Sequence, residues 1–515
     1  MRIYRRLWPR VRIALSAWIL LALVTSNVNC IVGPKYHKPD TAVPPSYKEQ
    51  EAPAAETGTW KKAEPSDALA KGRWWEVFND SALNGFQEKV LISNQSLKVA
   101  EAQFRQARAL VHADRAAYYP TITAGPSATV SNPSVNRSFR PSTTASTFVD
   151  SILGADFSYE ADLWGRVRNT VAASSASAQS SAADLENVRL SIQSELAIDY
   201  FILKSLDAER ELLDSTVEAY QKALQLTTNR YRSGVASGAE VAQAETQLEA
   251  TRAQAIDLDV QRAQMEHAIA FLVGEPASSF SIPKSPVIGS APVIPAGVPS
   301  ELLERRPDIA SNERRIAAAN AQIGVARAAF FPSLLLTAGV GVETVHFANL
   351  LSWPSHFWSI GPSLVQTVFD GGRRRAVSEQ AQASYDAAVA SYRDTVLRAF
   401  QEVEDSLAAL KILSREADVQ NSVIKAAERS ASLAVNRYKG GIVSYLEVII
   451  AQSAALASRR TAVGLLQRQM VASVMLMKAL GGGWDASLLP SARTLESSAG
   501  SVNKVGSSNN EGLSH

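Results

Sequence analysis

Two long stretches, from Arg166 to Ser233 and from Arg373 to Lys439, contain not one Gly or Pro. Helices in globular proteins average about three turns. Uninterrupted runs of this size therefore predict very long helices, each roughly 100 Å at about 1.5 Å per residue. Both runs are rich in small residues, as in Ala172-Ala173-Ser174-Ser175-Ala176-Ser177-Ala178 and at Ala381, Ala383, Ala387, Ala388 and Ala390. Large apolar residues are sparse and spaced mostly at three and four: Leu185, Val188, Ile192, Leu196 and Leu203. So narrow a stripe suits a helix packed on its neighbours in a curved, single-layer wall. A rod-like cytoplasmic coiled coil is the alternative.

The two runs belong to a duplication. Arg115-Ala116-Ala117-Tyr118-Tyr119-Pro120 returns in the second half as Arg327-Ala328-Ala329-Phe330-Phe331-Pro332. Asn229-Arg230-Tyr231-Arg232-Ser233-Gly234 returns as Asn436-Arg437-Tyr438-Lys439-Gly440-Gly441, and Gly165-Arg166 returns at the same offset as Gly372-Arg373. A period of about 210 residues is far longer than the roughly 20 to 50 residues of a solenoid unit. One half has been copied. Each long helix ends in a glycine turn, with Gly234 and Gly441 free to adopt a left-handed C-cap. Ser237 with Glu240, and Ser444 with Glu447, read as capping boxes for a returning helix. Returning helices are expected from Ala239 to about Val273 and from Ser444 to about Leu480.

Between the aromatic-Pro and Gly-Arg marks the period changes to two. Ala155, Phe157, Tyr159, Ala161 and Leu163 alternate with Asp156, Ser158, Glu160 and Asp162; in the second copy Leu334, Leu336, Ala338, Val340 and Val342 share one face. Trp358, Ile360, Leu364 and Val368 share another. Two strands per half are therefore expected, joined by loops at 131–147 and 343–356. Each apolar segment is about ten residues long, the length of a tilted transmembrane strand. Four strands cannot close a barrel, so a membrane reading demands several copies. A small soluble hairpin on a coiled coil would instead leave two apolar-faced edges exposed.

The N-terminus reads as an export signal: Arg2, Arg5, Arg6, Arg10 and Arg12 precede the apolar run from Ile13 to Val24. That run is too short for the ~20 residues of a spanning helix. Cys30, the only cysteine, follows it and reads as a lipid-acceptor residue, although Asn27-Val28-Asn29 is a poor lipobox. Lys and Arg total 52 against 50 Asp and Glu, a balance without the clustered basic face that nucleic acid requires. The six histidines lack metal-ligand spacing, and Gly339-Val340-Gly341 lacks the third glycine of a nucleotide loop. No enzyme constellation, metal site or cofactor is expected.

The chain resembles the TolC-like outer-membrane efflux proteins, in particular the lipoprotein subgroup of OprM and NodT type. The segments that carry the resemblance begin with Cys30-Ile31-Val32-Gly33-Pro34-Lys35-Tyr36, Arg73-Trp74-Trp75 and Glu304-Arg305-Arg306-Pro307-Asp308-Ile309. They continue with Ile316 through Pro332, Phe369-Asp370-Gly371-Gly372-Arg373, Arg437 through Gln452 and Ala479-Leu480-Gly481-Gly482-Gly483-Trp484. The resemblance implies a mainly α chain with a transmembrane β-barrel portion. Three copies would form an α-helical tunnel and share a twelve-stranded outer-membrane barrel. It implies a passive exit duct for small toxic compounds, docked by a periplasmic adaptor protein and powered by an inner-membrane pump. A type I protein-secretion duct of the same fold, or a periplasmic scaffold without a pore, are the alternatives.

The organisation expected is a signal peptide at 1–29, an extended segment at 30–79, helices at 80–120 and a membrane β-hairpin at 121–163. A long helical hairpin at 164–274 and a linker at 275–300 complete the first half. The second half repeats this with helices at 301–332, a β-hairpin at 333–370, a helical hairpin at 371–481 and a tail at 482–515. By the same resemblance, constricting rings at the periplasmic mouth fall on Leu446 and Ile450, the second replacing a usual acid and leaving Glu447 and Glu240 as nearby carboxylates. Gly234, Ser237, Gly441 and Ser444 would shape the surface an adaptor hairpin contacts.

Overall fold

A computed structural model of the chain describes residues 31–41, 43–49, 72–132, 147–286, 289–292, 294 and 299–497. The export signal, Cys30 and most of the first inter-strand loop lie outside the described residues. The 80–120 stretch divides into two helices, α1 (Ser81–Ser93) and α2 (Gln95–Arg115). Asn94 breaks it: its backbone is extended at ψ 126, and its side chain accepts from the Leu97 N–H to start α2. Asp80 caps α1 in the same way, through Ala82 and Leu83.

Strands β1 (Thr121–Ser131) and β2 (Phe148–Ala161) follow, then α3 (Arg166–Arg232) and α4 (Gly238–Val273). The second half gives the short α5 (Leu302–Arg305), α6 (Pro307–Ala328), β3 (Ser333–Thr344), β4 (His356–Val365), α7 (Arg373–Lys439) and α8 (Tyr445–Ala479). A last short helix, α9, spans Ala492–Glu496. Each long Gly- and Pro-free run is a single helix of 67 residues. Val368 falls past the end of β4, because the chain leaves the ladder after Val365 to reach the turn before α7.

The described helices form four columns, side by side. Helix α2 stands on the end of α4: the Asn94 amide donates to the Leu272 carbonyl, and Gly274 abuts the Ser93 carbonyl. Helix α6 stands on α8 likewise, with the Arg306 guanidinium donating to the Ala479 carbonyl at 3.1 Å. Gly481, at φ 88, lies so close to Arg305 that a Cβ there would overlap its carbonyl oxygen. Column α3 lies between the α2/α4 and α6/α8 columns, and α7 lines the outer side of the latter. Helix α3 is accordingly buried at intervals from Val167 to Thr227, whereas α7 buries only a sparse set such as Tyr392, Val396, Val403 and Leu413. The main core sits at mid-height, where Trp74, Trp75, Leu83, Leu196, Tyr200, Phe201, Ile269, Val403 and Val474 pack together.

The four strands form one antiparallel sheet in the order β1-β2-β3-β4, so β1 and β4 are both free edges in one chain. Pro126 sits on the β1 edge, where a missing N–H is tolerated. The register aligns Ile122, Phe157, Ala338 and Ile360 on one face, with Ala124, Ala155, Val340 and Trp358 beside them. The opposite face carries Thr123, Asp156, Gly339 and Ser359, flanked by Asp150, Glu160 and Glu343. Trp358, Ile360 and Leu364 are 77%, 76% and 67% exposed, so the apolar face has no cover within the described residues.

Candidate functional site

Both hairpin tips close by the same backbone device. After α3 the Gly234 N–H donates to the Tyr231 carbonyl and the Val235 N–H to Arg230; after α7 Gly441 donates to Tyr438 and Ile442 to Arg437. Both turns need a residue in the left-handed region, where glycine is unstrained. Gly234 supplies it at φ 78 and Gly441 at φ 73.

The start of the returning helix differs between the copies. The Ser237 hydroxyl accepts from the Glu240 N–H at 3.4 Å, but Ser444 makes no side-chain cap bond. The capping-box expectation holds by half at the first tip, where Ser237 caps but Glu240 does not bond back, and fails at the second, where Ser444 makes no cap bond. Glu240 Oε2 accepts from the Tyr438 hydroxyl at 2.9 Å, and Glu447 lies 3.7 Å from the Arg437 guanidinium. A charge-assisted bond to a partner on the other hairpin, or an ion pair, outcompetes the weak local cap.

Tyr438 is the hub of this region. Arg230 of the first hairpin donates to the Tyr438 and Lys439 carbonyls at 3.2 Å, and its guanidinium lies 4.6 Å from the Tyr438 ring centre. The Tyr445 ring meets Tyr438 edge-on at 5.3 Å. Ala244, Ala434 and Val448 complete a small apolar cluster around them. Burial pushes the Tyr438 phenol up, the Glu240 bond adding to it, and burial pushes Tyr445 up to about 12. Both stay protonated at neutral pH, so Tyr438 remains a donor to Glu240.

Leu446 and Ile450 lie outside that cluster. Their spacing on α8 puts them one turn apart on one helix face. Leu446 is 50% exposed and Ile450 62%, whereas Tyr445 and Val448 are buried. The structure thus brings Glu240 to Tyr438 and Glu447 to Arg437, and leaves Leu446 and Ile450 on an open side. Sequence reasoning missed Arg230 and Tyr438. The repeated Asn-Arg-Tyr carried the signal: Tyr231 is 52% exposed and its copy Tyr438 only 3%. An identical motif has been put to different use in the two halves.

Among the described residues no group of His, Cys, Asp and Glu has metal-binding geometry, and no helix is long and apolar enough to cross a membrane.

The outer membrane efflux protein family model matches this chain in two blocks, residues 87–275 and 298–482, one in each half. The chain is 31% identical over 447 residues to the probable efflux pump outer membrane protein TtgC of Pseudomonas putida, spanning 85% of this chain and 92% of that protein. It is 32% identical over 425 residues to the pyoverdine export outer membrane protein OpmQ of Pseudomonas aeruginosa, spanning 82% and 89%. Among solved structures, the outer-membrane channel OprN aligns with a TM-score of 0.79 at 30% identity, covering 88% of this chain and all of that one. The two-faced sheet, the helical columns and these matches agree: the chain belongs to the outer membrane efflux protein family and is an efflux channel of the outer membrane.

Proposed function

We propose that three copies of this chain form the passive exit duct of a tripartite efflux system. One observation carries this reading: a sheet with an uncovered apolar face and two unpaired edges, joined to helices with a sparsely buried flank. Backbone at membrane depth must be fully paired. Edge β1 of one copy therefore needs edge β4 of a neighbour, and the bare side of that neighbour's α7 needs the α2/α4 column of the first copy. Four strands per copy then make the twelve of a barrel whose interior is polar.

The duct needs no catalysis of its own and draws on an inner-membrane pump through a periplasmic adaptor protein. Tip residues Gly234, Ser237, Gly441 and Ser444, on the turns farthest from the sheet, form the adaptor contact. Leu446 and Ile450 face the pore axis and close it, and Glu447 is the remaining acid of the gate. Export of small toxic compounds fits relatives named for toluene and antibiotic efflux.

Lipid anchoring through Cys30 has support from the residues that follow it. The Val32 N–H donates to the Trp164 carbonyl at 3.0 Å, Asn169 donates back to Val32, and Asn320 donates to Pro34. These bonds pin residues 32–34 beside the foot of β2.

The test is conductance in planar bilayers. Purified protein should form single channels that are mostly closed. Leu446→Ala with Ile450→Ala should raise open time, because narrow apolar rings gate by dewetting and smaller side chains wet more easily. Unchanged conductance removes the two residues from the gate; no channels at all removes the duct.

A further inference from the structure

We propose that the junctions of α6 with β3 and of β4 with α7 form a binding surface for an anionic phospholipid, held by Arg327 and Arg373. This rests on the reading that the sheet crosses a bilayer, because the two junctions then lie at its helix-side boundary.

The duplication supplies the argument. Arg327 is the copy of Arg115, and Arg373 the copy of Arg166. The first-half arginines are neutralised within the chain. Arg115 bonds the Glu496 carbonyl and lies 3.9 Å from its carboxylate, and Arg166 takes both oxygens of Glu160 at 2.8 and 2.6 Å. Within one chain their second-half copies are exposed, and neither guanidinium meets a carboxylate among the described residues. Arg373 opens the helix whose bare side the proposed trimer gives to a neighbouring copy, so the surface lies beside that seam. Next to them Arg374 is held by Asp370 at 2.7 Å, so that acid is not available to Arg373.

The surroundings are amphiphilic. Phe330 and Phe331 are 43% and 40% exposed, and Val368 and Phe369 are each 89% exposed. The two junctions touch: Gln366 donates to the Phe330 carbonyl at 3.1 Å, and the Arg374 guanidinium lies 5.5 Å from the Phe330 ring centre. Two guanidiniums without a carboxylate thus flank exposed aromatic rings, and the apolar sheet face continues from them through Leu364. A headgroup phosphate fits the guanidiniums bidentately, and acyl chains fit the sheet face. Aromatic girdles at this level are usual for membrane barrels. Arginines left uncompensated among the aromatic rings add a preference for negative charge, about fivefold per basic residue.

The experiment uses the full chain in nanodiscs of phosphatidylcholine and phosphatidylglycerol at three to one. Stepwise detergent extraction is followed by analysis of the lipid that stays bound. Wild-type protein should retain phosphatidylglycerol several-fold above its bulk share, with the excess falling as NaCl rises from about 0.05 to about 0.5 M and the screening length shortens. Arg327→Gln with Arg373→Gln should bring the retained ratio to the bulk value, while Arg327→Lys with Arg373→Lys should keep most of the excess. Wild-type retention at the bulk ratio overturns the proposal, as does an excess that ignores salt or survives the glutamine pair. Failure of wild-type protein to enter nanodiscs at all would instead overturn the membrane reading beneath it.

Discussion

At the residue scale, the tip depends on a single phenol. Tyr438 ties its own hairpin to the first one through Glu240, and Arg230 grips the same turn from the other side. Tyr438→Phe removes the donor and leaves a partly buried carboxylate without it. Loss of such a bond is worth about 1 kcal/mol, roughly a fivefold shift in a two-state opening equilibrium. Single-channel recordings of Tyr438→Phe should show longer openings at unchanged conductance. A second residue-scale effect concerns Asp199, on α3, whose carboxyl burial raises to about 6, with Glu195 adding to it. A folded-state value above the unfolded one favours the protonated acid, so its contribution to stability is full below about pH 4 and is lost as pH rises through about 6. Asp199→Asn should therefore raise the melting temperature at pH 8, by the equivalent of about 1 kcal/mol after allowance for solvent screening. That gain should vanish near pH 4, and melting curves across this range check it.

At the scale of elements, the long helices were legible because Gly and Pro are absent from them, and the strands because their period is two. The break at Asn94 was not, because Asn is tolerated within a helix and becomes a breaker only when its side chain caps the next one, as it does here through Leu97. The tip coupling was hidden for a different reason. Arg230 and Tyr438 are 208 residues apart, and their contact depends on how the two hairpins dock, which no local pattern encodes. Leu446 and Ile450 came from resemblance alone, and the chain by itself shows only that their face is open. The stacking of α6 on α8 was equally illegible, although Gly481 was in view. Gly481→Val should force the Arg305 carbonyl aside and strain a positive φ, at about 2–3 kcal/mol. A lowered melting temperature with intact far-UV helicity at room temperature is the expected result.

At the scale of the whole molecule, the duplication gives each half the same parts, a β-hairpin and a helical hairpin, and then breaks their equivalence. Helix α3 is enclosed and α7 is bare, Tyr231 is exposed and Tyr438 buried. An isolated chain has no use for a bare helix of that length or for an open apolar sheet. In the proposed trimer the bare helix is covered and the sheet's two edges are paired by neighbouring copies, while the apolar sheet face turns to the bilayer. The most direct measurement is the native mass of the detergent-extracted protein, read together with its conductance. Particles of three chains that conduct across planar bilayers are predicted. A monomer that stays in solution without detergent and forms no channel would contradict the account.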